Sequence, residues 1–254
     1  MLKTRVIPVL LMKNAGLYKG VKFKNHKYVG DPINTVKIFN DKEVDELVIF
    51  DIEVSRLNKP INFELLENIA SEAFMPIAYG GGIKTFKDAQ KLFSLGIEKV
   101  VLNTSAIENL DLVKKLVDSY GSQSVVFSLD VKKSFFGKYE AYSYSGSKKV
   151  KILPAELAKK MQELGVGELI INSIDNDGVM KGYDLAIIKE IATQLTIPVI
   201  ACGGAGNLED FNKAKEIGAH GCAAGSMFVY NGIHKAVLIS YPKYEKLCEL
   251  FKEN

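Results

Sequence analysis

The chain has 254 residues, with 33 basic and 30 acidic side chains and a net charge of +3. That balance argues against a nucleic-acid footprint, while 47% hydrophobic residues are enough for a substantial core. The three cysteines, Cys202, Cys222 and Cys248, are widely spaced and no CxxC or HxxxH occurs, so neither a disulfide framework nor a zinc site is indicated and no cofactor is expected.

The first predicted element is a strand, Arg5–Leu11. The segment "MLKTRVIPVLLMK" around it is too short and too soon charged for a signal peptide. With no apolar run of bilayer length anywhere, the expectation is a cytoplasmic protein without a membrane partner. A long loop follows, "NAGLYKGVKFKNHKYVGDP", rich in glycine, lysine and aromatics. It reads either as a mobile lid over a charged ligand or as a floppy connection. "DPINTVKIFNDKEV" has helical periodicity, and strands are predicted at Glu46–Asp51, Met75–Gly80 and Lys99–Asn103. The helix "TFKDAQKLFSLG" between the last two stops at Gly96. The second half repeats the sequence of elements, with strands at Ser124–Asp130, Glu168–Asn172, Ile197–Cys202 and Gly221–Gly225. Its helix "NLEDFNKAKEIG" stops at Gly218. One stretch, "SFFGKYEAYSYSGSKKVKI", alternates aromatic and polar residues and predicts a small hairpin inserted after the fifth strand. The run "KKVK" at Lys148–Lys151 reads as a solvated loop.

Eight strand–helix units without a linker predict a single α/β domain, a (β/α)8 TIM barrel over residues 1–254, rather than a doubly wound sheet. "MPIAYGGGIKTFKDAQKLFSLGIEKVVLNTS" aligns without a gap on "IPVIACGGAGNLEDFNKAKEIGAHGCAAGSM". The barrel therefore reads as two duplicated halves, roughly 1–120 and 121–240. "FDIEVS" around Asp51 is matched in the same way to "SIDNDG" around Asp175.

Function in such barrels sits where the strands end. Gly81-Gly82 and Gly203-Gly204 fall there, as do Asn103-Thr104 and Gly225-Ser226. Glycines allow close approach of backbone N–H groups to a phosphate, a following helix N-terminus adds to the attraction, and the Thr104 or Ser226 hydroxyl can add a bond. Each half thus offers a phosphate cradle, unless the glycines merely turn the chain. Asp51, Asp130, Asp175 and Asp177 are acids at the same face. Asp130 shares the parity of Val126 and Ser128 and should point into the mouth, where a carboxylate can shuttle a proton. It could instead cap a helix or pair with Lys132. At the matching place on the first strand stands Leu11, which cannot exchange a proton. Lys13 and Lys132 follow the two strands at one offset, facing anions or simply solvated. At the other mouth Arg5, Glu46, Lys99 and Glu168 start their strands, forming either an inward neutral ring or four surface charges. His26, His220 and His234 have no evident acidic partner and are assigned no role.

Taken in order, "GDP", "DELVIFDI", "YGGGI", "KVVLNT", "GSQSVV", "NSIDNDG", "KGYD" and "ACGGAG" resemble the HisF family, the cyclase subunit of imidazole glycerol phosphate synthase. The resemblance covers essentially the whole chain. It implies a phosphorylated small-molecule ligand bound by Gly82, Asn103, Thr104, Asp177, Gly204, Gly225 and Ser226, with Lys19 in the closing loop. It also implies ammonia from a HisH-like glutaminase docked on the N-terminal face, passing a gate of Arg5, Glu46, Lys99 and Glu168. The family's reaction uses two aspartates. One matches Asp130; the other falls at position 11, where this chain has leucine. "RVIPVLLMKNAGLYK" and "HKAVLISYP" more closely resemble the HisF-like proteins of glycosyl amidation, of the WbuZ type. That subgroup implies a further partner, a separate sugar amidotransferase, and conversion of an acetamido to an acetamidino group on a surface-glycan sugar in a lipopolysaccharide-type pathway. The alternative is a true cyclase of histidine biosynthesis in which Asp51 or Asp175 replaces the lost acid.

Overall fold

Eight parallel strands close on themselves in the computed structural model, which describes residues 4–251. In barrel order they are Arg5–Lys13, Leu47–Asp51, Ile77–Gly80, Lys99–Leu102, Val125–Lys133, Glu168–Ser173, Val199–Cys202 and Gly221–Ala224, the last pairing back on the first. They are called strands 1 to 8 below. Helices between them cover the outside, so each strand is buried on both faces and reads as a nearly continuous apolar run. Alternate residues divide two cores. Ile7, Val9, Val48, Val101, Val126, Ile170 and Ile200 fill the barrel axis. Val6, Leu10, Leu47, Ile49, Val100 and Phe127 meet the helices instead.

Local chemistry sets the helix starts. Asp31 accepts the Asn34 amide at 2.8 Å and Pro32 opens the helix Pro32–Asp41. The duplication extends to the caps: Thr85 and Asp88 form a capping box before Phe86–Ser94, and Asn207 and Asp210 form another before Leu208–Glu216. Strands 2 and 6 match with Glu46 on Glu168, the same separation as Pro76 and Pro198, which sets Asp51 on Ser173. The expected match of Asp51 with Asp175 is therefore two residues out of register: Glu53 is the counterpart of Asp175.

Two segments differ from expectation in kind. The first loop is neither floppy nor irregular but a β-hairpin, Gly16–Val21 against Lys24–Gly30, continuing from strand 1 through the pair Leu11 and Tyr18. Its turns place Asn14 and Ala15, then Lys22 and Phe23, at positive φ between 47° and 62°. These are primed turns built without the usual Asn-Gly signature, which is why the pattern read as a loop. The insert after strand 5 begins three residues later than Asp130, because strand 5 runs on to Lys133 and folds back as Tyr139–Ser143, with Lys148–Lys149 beside it. "KKVK" thus includes two exposed strand residues rather than a simple loop. No helix among the described residues is long and apolar enough to cross a membrane.

Candidate functional site

A cavity of about 580 Å³ opens at the C-terminal ends of the strands. Parity places Leu11, Phe50, Asn103, Ser128, Asp130, Asn172 and Cys202 toward it, at the top of the axial core. The floor is divided by chemistry. Leu11 and Phe50 pack on the axial cluster and make one side apolar. Asp130, Asn172 and Ser128 make the other side polar, all three buried. Asp130 faces the cavity because it alternates with Val126 and Ser128 beneath it, and strand 5 stays paired with strand 6 as far as Val131.

Burial raises the Asp130 carboxyl to about 7; the Asp177 charge adds to the rise, while Asn172 and Ser128 favour the anion and oppose it. An acid with this affinity holds and releases a proton near neutrality. Lys132 is exposed on the hairpin opposite Glu140 and does not neutralise Asp130. Lys13, by contrast, lines the cavity and pairs with Glu53 at 3.1 Å, so the two lysines are not equivalent. Cys202 also lines the cavity, but burial pushes its thiol up to about 12, so it is not an activated nucleophile. Asp51 lies at the rim, its Oδ1 accepting the amides of Glu53 and Val54 at 3.1 and 3.3 Å. Asp175 is not at the cavity: its carboxylate takes the Lys133 amide at 2.9 Å. The acids grouped at one face from the sequence thus divide, with Asp130 and Asp177 in the site, Asp51 capping a turn, and Asp175 tying down the insert.

The two glycine sets, alike in sequence, differ in hydrogen bonding. In the first, the Gly82 amide donates to Ser55 Oγ at 2.9 Å. Thr104 Oγ1 accepts the Tyr144 amide at 2.9 Å, and Asn103 Nδ2 donates to the carbonyls of Ser128 and Tyr142 at 2.8 and 3.2 Å. That set is occupied by the protein's own groups. In the second, Ser226 Oγ is buried and has no partner among the described residues. Gly204 holds φ of +125°, and a Cβ there would stand 2.2 Å from the Gly182 carbonyl oxygen. The Lys19 side chain lies across Gly225, its Cε 3.1 Å from where a Cβ would be. The helices that follow, Thr104–Glu108 and Ser226–Val229, are single turns. Their dipoles are small, so anion attraction would come from amides, hydroxyls and side-chain cations rather than from the expected helix N-terminus.

Lys19 sits on the hairpin, buried, with Nζ 2.7 Å from Asp177 Oδ1. The Asp177 carbonyl accepts the Lys22 amide at 2.8 Å and its Oδ2 the Phe23 amide at 3.4 Å. One residue after strand 6 thus anchors a hairpin that starts from strand 1. Phe23 reaches Gly146 in the strand-5 insert, whose Ser145 hydroxyl donates to the Ile52 carbonyl at 3.3 Å. Two hairpins roof the mouth. His26, Arg56, Lys84, Ser55 and Asn172 also line the cavity. His26 had been assigned no role and the other four were not singled out; of these only Ser55 and Asn172 could have been found, from their register with Asp177 and Phe50.

At the opposite mouth Arg5 donates to Glu46 Oε2 at 2.5 Å and to Glu168 Oε1. Lys99 Nζ lies 2.8 Å from Glu46 and 3.2 Å from Glu168. Each cation touches both acids, a closed ring beneath the apolar axis. Burial opposes the Arg5 charge, but Glu168 and Glu46 outweigh it and raise its affinity for the proton. Among the described residues no group of three or more His, Cys, Asp or Glu side chains could hold a metal ion.

These features define a (β/α)8 barrel with a roofed polar cavity at one end and a ring of alternating charges at the other. A model of the family described as histidine biosynthesis protein matches residues 5–235, and the chain belongs to that family, as a HisF-like member. It is 53% identical to the "Putative imidazole glycerol phosphate synthase subunit hisF2" of Pseudomonas aeruginosa, over 97% of this chain and 99% of that protein. It is 46% identical to the similarly named HisF of Leptospira interrogans, over 99% and 100% of the two chains. The "Imidazole glycerol phosphate synthase subunit HisF" of Petrotoga mobilis is 42% identical over 93% and 94%.

Proposed function

We propose that this chain is the ammonia-receiving barrel subunit of a glutamine-dependent amidation complex, serving conversion of an acetamido to an acetamidino group on a surface-glycan sugar. The observation that carries the reading is the apolar half of the cavity floor. A ring closure between two proton-handling groups needs an acid and a base on opposite sides of the substrate, and Leu11 and Phe50 stand where the second would be. The parts that ammonia delivery needs are retained. A HisH-like glutaminase would dock on the N-terminal face, where Phe74, 89% exposed, precedes strand 3. Ammonia would pass the Arg5–Glu46–Lys99–Glu168 ring, follow the apolar axis and emerge beside Asp130, which would take up or return a proton. Gly204, Gly225, Ser226, Asp177 and Lys19 would hold a phosphoryl group of the ligand, with Gly82, Asn103 and Thr104 forming the opposite wall. A separate sugar amidotransferase would carry out the exchange at the amide carbon.

A second reading is supported by the Petrotoga relative, whose name is that of the synthase subunit itself. Under it the chain is the cyclase subunit of histidine biosynthesis, and Asp51 would take the place of the strand-1 acid. One experiment separates the two. The purified chain is given the cyclase substrate with a high concentration of ammonium salt, which bypasses any glutaminase. The amidation reading expects no imidazole glycerol phosphate above background, and turnover at an enzyme's ordinary rate would refute it.

A further inference from the structure

The hairpin carries a titratable residue into the mouth that neither reading uses. His26 lines the cavity, half-buried, on the returning strand Lys24–Gly30. A Cβ on Gly20 would meet His26 Cδ2 at 2.8 Å and Nε2 at 3.0 Å, so the imidazole lies flat against the backbone next to Lys19. Lys19 faces it from the outgoing hairpin strand, Lys13 from the end of strand 1, Arg56 from the turn after strand 2, and Asp177 from the loop after strand 6. Lys13 is paired with Glu53 and Lys19 with Asp177, but Arg56 has no ion pair among the described residues. The imidazole thus lines the same cavity as both glycine sets, within a surplus of positive charge. Ser226 supplies the independent sign that a ligand belongs in that cavity: a buried hydroxyl at its wall with no partner among the described residues.

We propose that His26 is a ligand-binding residue that, with Lys19, clamps a phosphoryl dianion over Gly204, Gly225 and Ser226. The inference rests on the phosphate-cradle part of the function proposed above. The physical reason is charge balance. Burial and the Lys19 charge, then Lys13 and Arg56, hold the empty-state imidazole below its ordinary value, with Asp177 opposing them. A dianion brought against Lys19 offsets those cations and favours the imidazolium, which then gains a charge-assisted hydrogen bond. Binding takes up a proton, and the hairpin that carries both cations is held closed by the ligand as well as by Asp177.

The test uses sulfate, a dianion that does not titrate in the neutral range, with the full chain. The three histidines, His26, His220 and His234, are followed by NMR across pH 5–9 with and without saturating sulfate. The expected result is a rise of about one unit for His26 alone, matched by sulfate binding about tenfold tighter at pH 5.5 than at pH 8.5. In an Asp130→Asn background, which removes the other group of the cavity that titrates near neutrality, His26→Gln should abolish that pH dependence. If sulfate shifts the amide signals of Gly204, Gly225 and Ser226 but leaves the His26 titration unchanged, the clamp is overturned and the cradle survives. If those amides do not respond, the cradle falls and the clamp with it.

Discussion

Replacing Asp130 with asparagine should make the protein more stable, and more so as pH rises. Asp130 is 7% exposed and its carboxyl is held at about 7 in the folded chain, against 3.8 for the unperturbed group. Between those values the folded state keeps a proton that the unfolded chain has released. Stability from this group is therefore full below about pH 4 and declines as pH rises to about 7, after which it stays low. The three-unit difference corresponds to a penalty of about 4 kcal/mol at pH 8, and about 2 kcal/mol at pH 5. Urea unfolding of wild type and Asp130→Asn at both pH values reads the effect. The variant should exceed wild type by about 4 kcal/mol at pH 8, and the advantage should shrink to about 2 kcal/mol at pH 5. An advantage independent of pH, or a variant less stable at pH 8, would refute the argument that burial holds this carboxyl protonated near neutrality.

Removing one acid from the ring at the other mouth leaves two cations sharing one carboxylate. Glu168→Ala should cost about 1 to 2 kcal/mol in denaturant unfolding, with Glu46→Ala similar, because the partly exposed Arg5 and Lys99 keep one carboxylate between them and their mutual repulsion is no longer offset. Gly204→Ala should cost more than about 2 kcal/mol, since the new Cβ meets a carbonyl oxygen at 2.2 Å. Gly96→Ala, at φ of +92° but with nothing nearer than the Ala70 Cβ at 4.0 Å, should cost only about 1 kcal/mol, and thermal unfolding separates the two. Leu11→Asp should restore measurable ammonium-dependent imidazole glycerol phosphate formation if the glycine sets accept that substrate. A folded variant with no gain would show that the cavity takes a different ligand.

The barrel was legible because its causes are local and repeated. Period-two apolar runs and Gly96 and Gly218 as helix stops each act within a few residues, and their recurrence in both halves identified the architecture. The inward direction of Asp130 and Leu11 also followed from strand parity, whereas Arg5 and Glu168 stayed open between a ring and surface charges until the ion pairs joined them. Register was less secure: Asp51 and Asp175 were matched by a short look-alike phrase, whereas pairing of Glu46 with Glu168 decides the alignment.

What the chain alone determined was which side chains could reach each mouth, since that depends on parity and strand order. Which groups share the cavity was decided by contacts between distant segments. Lys19 and Asp177 lie 158 residues apart, and their ion pair, with the Lys22 and Phe23 amides, turns a glycine-rich stretch into a closed hairpin. That closure brings His26 beside Arg56 and raises the positive field over the floor. Asp177, which anchors that hairpin, also adds to the rise in the proton affinity of Asp130. Burial and the summed field of neighbours belong to the assembled fold, so no local pattern around position 26 or 130 could have stated them.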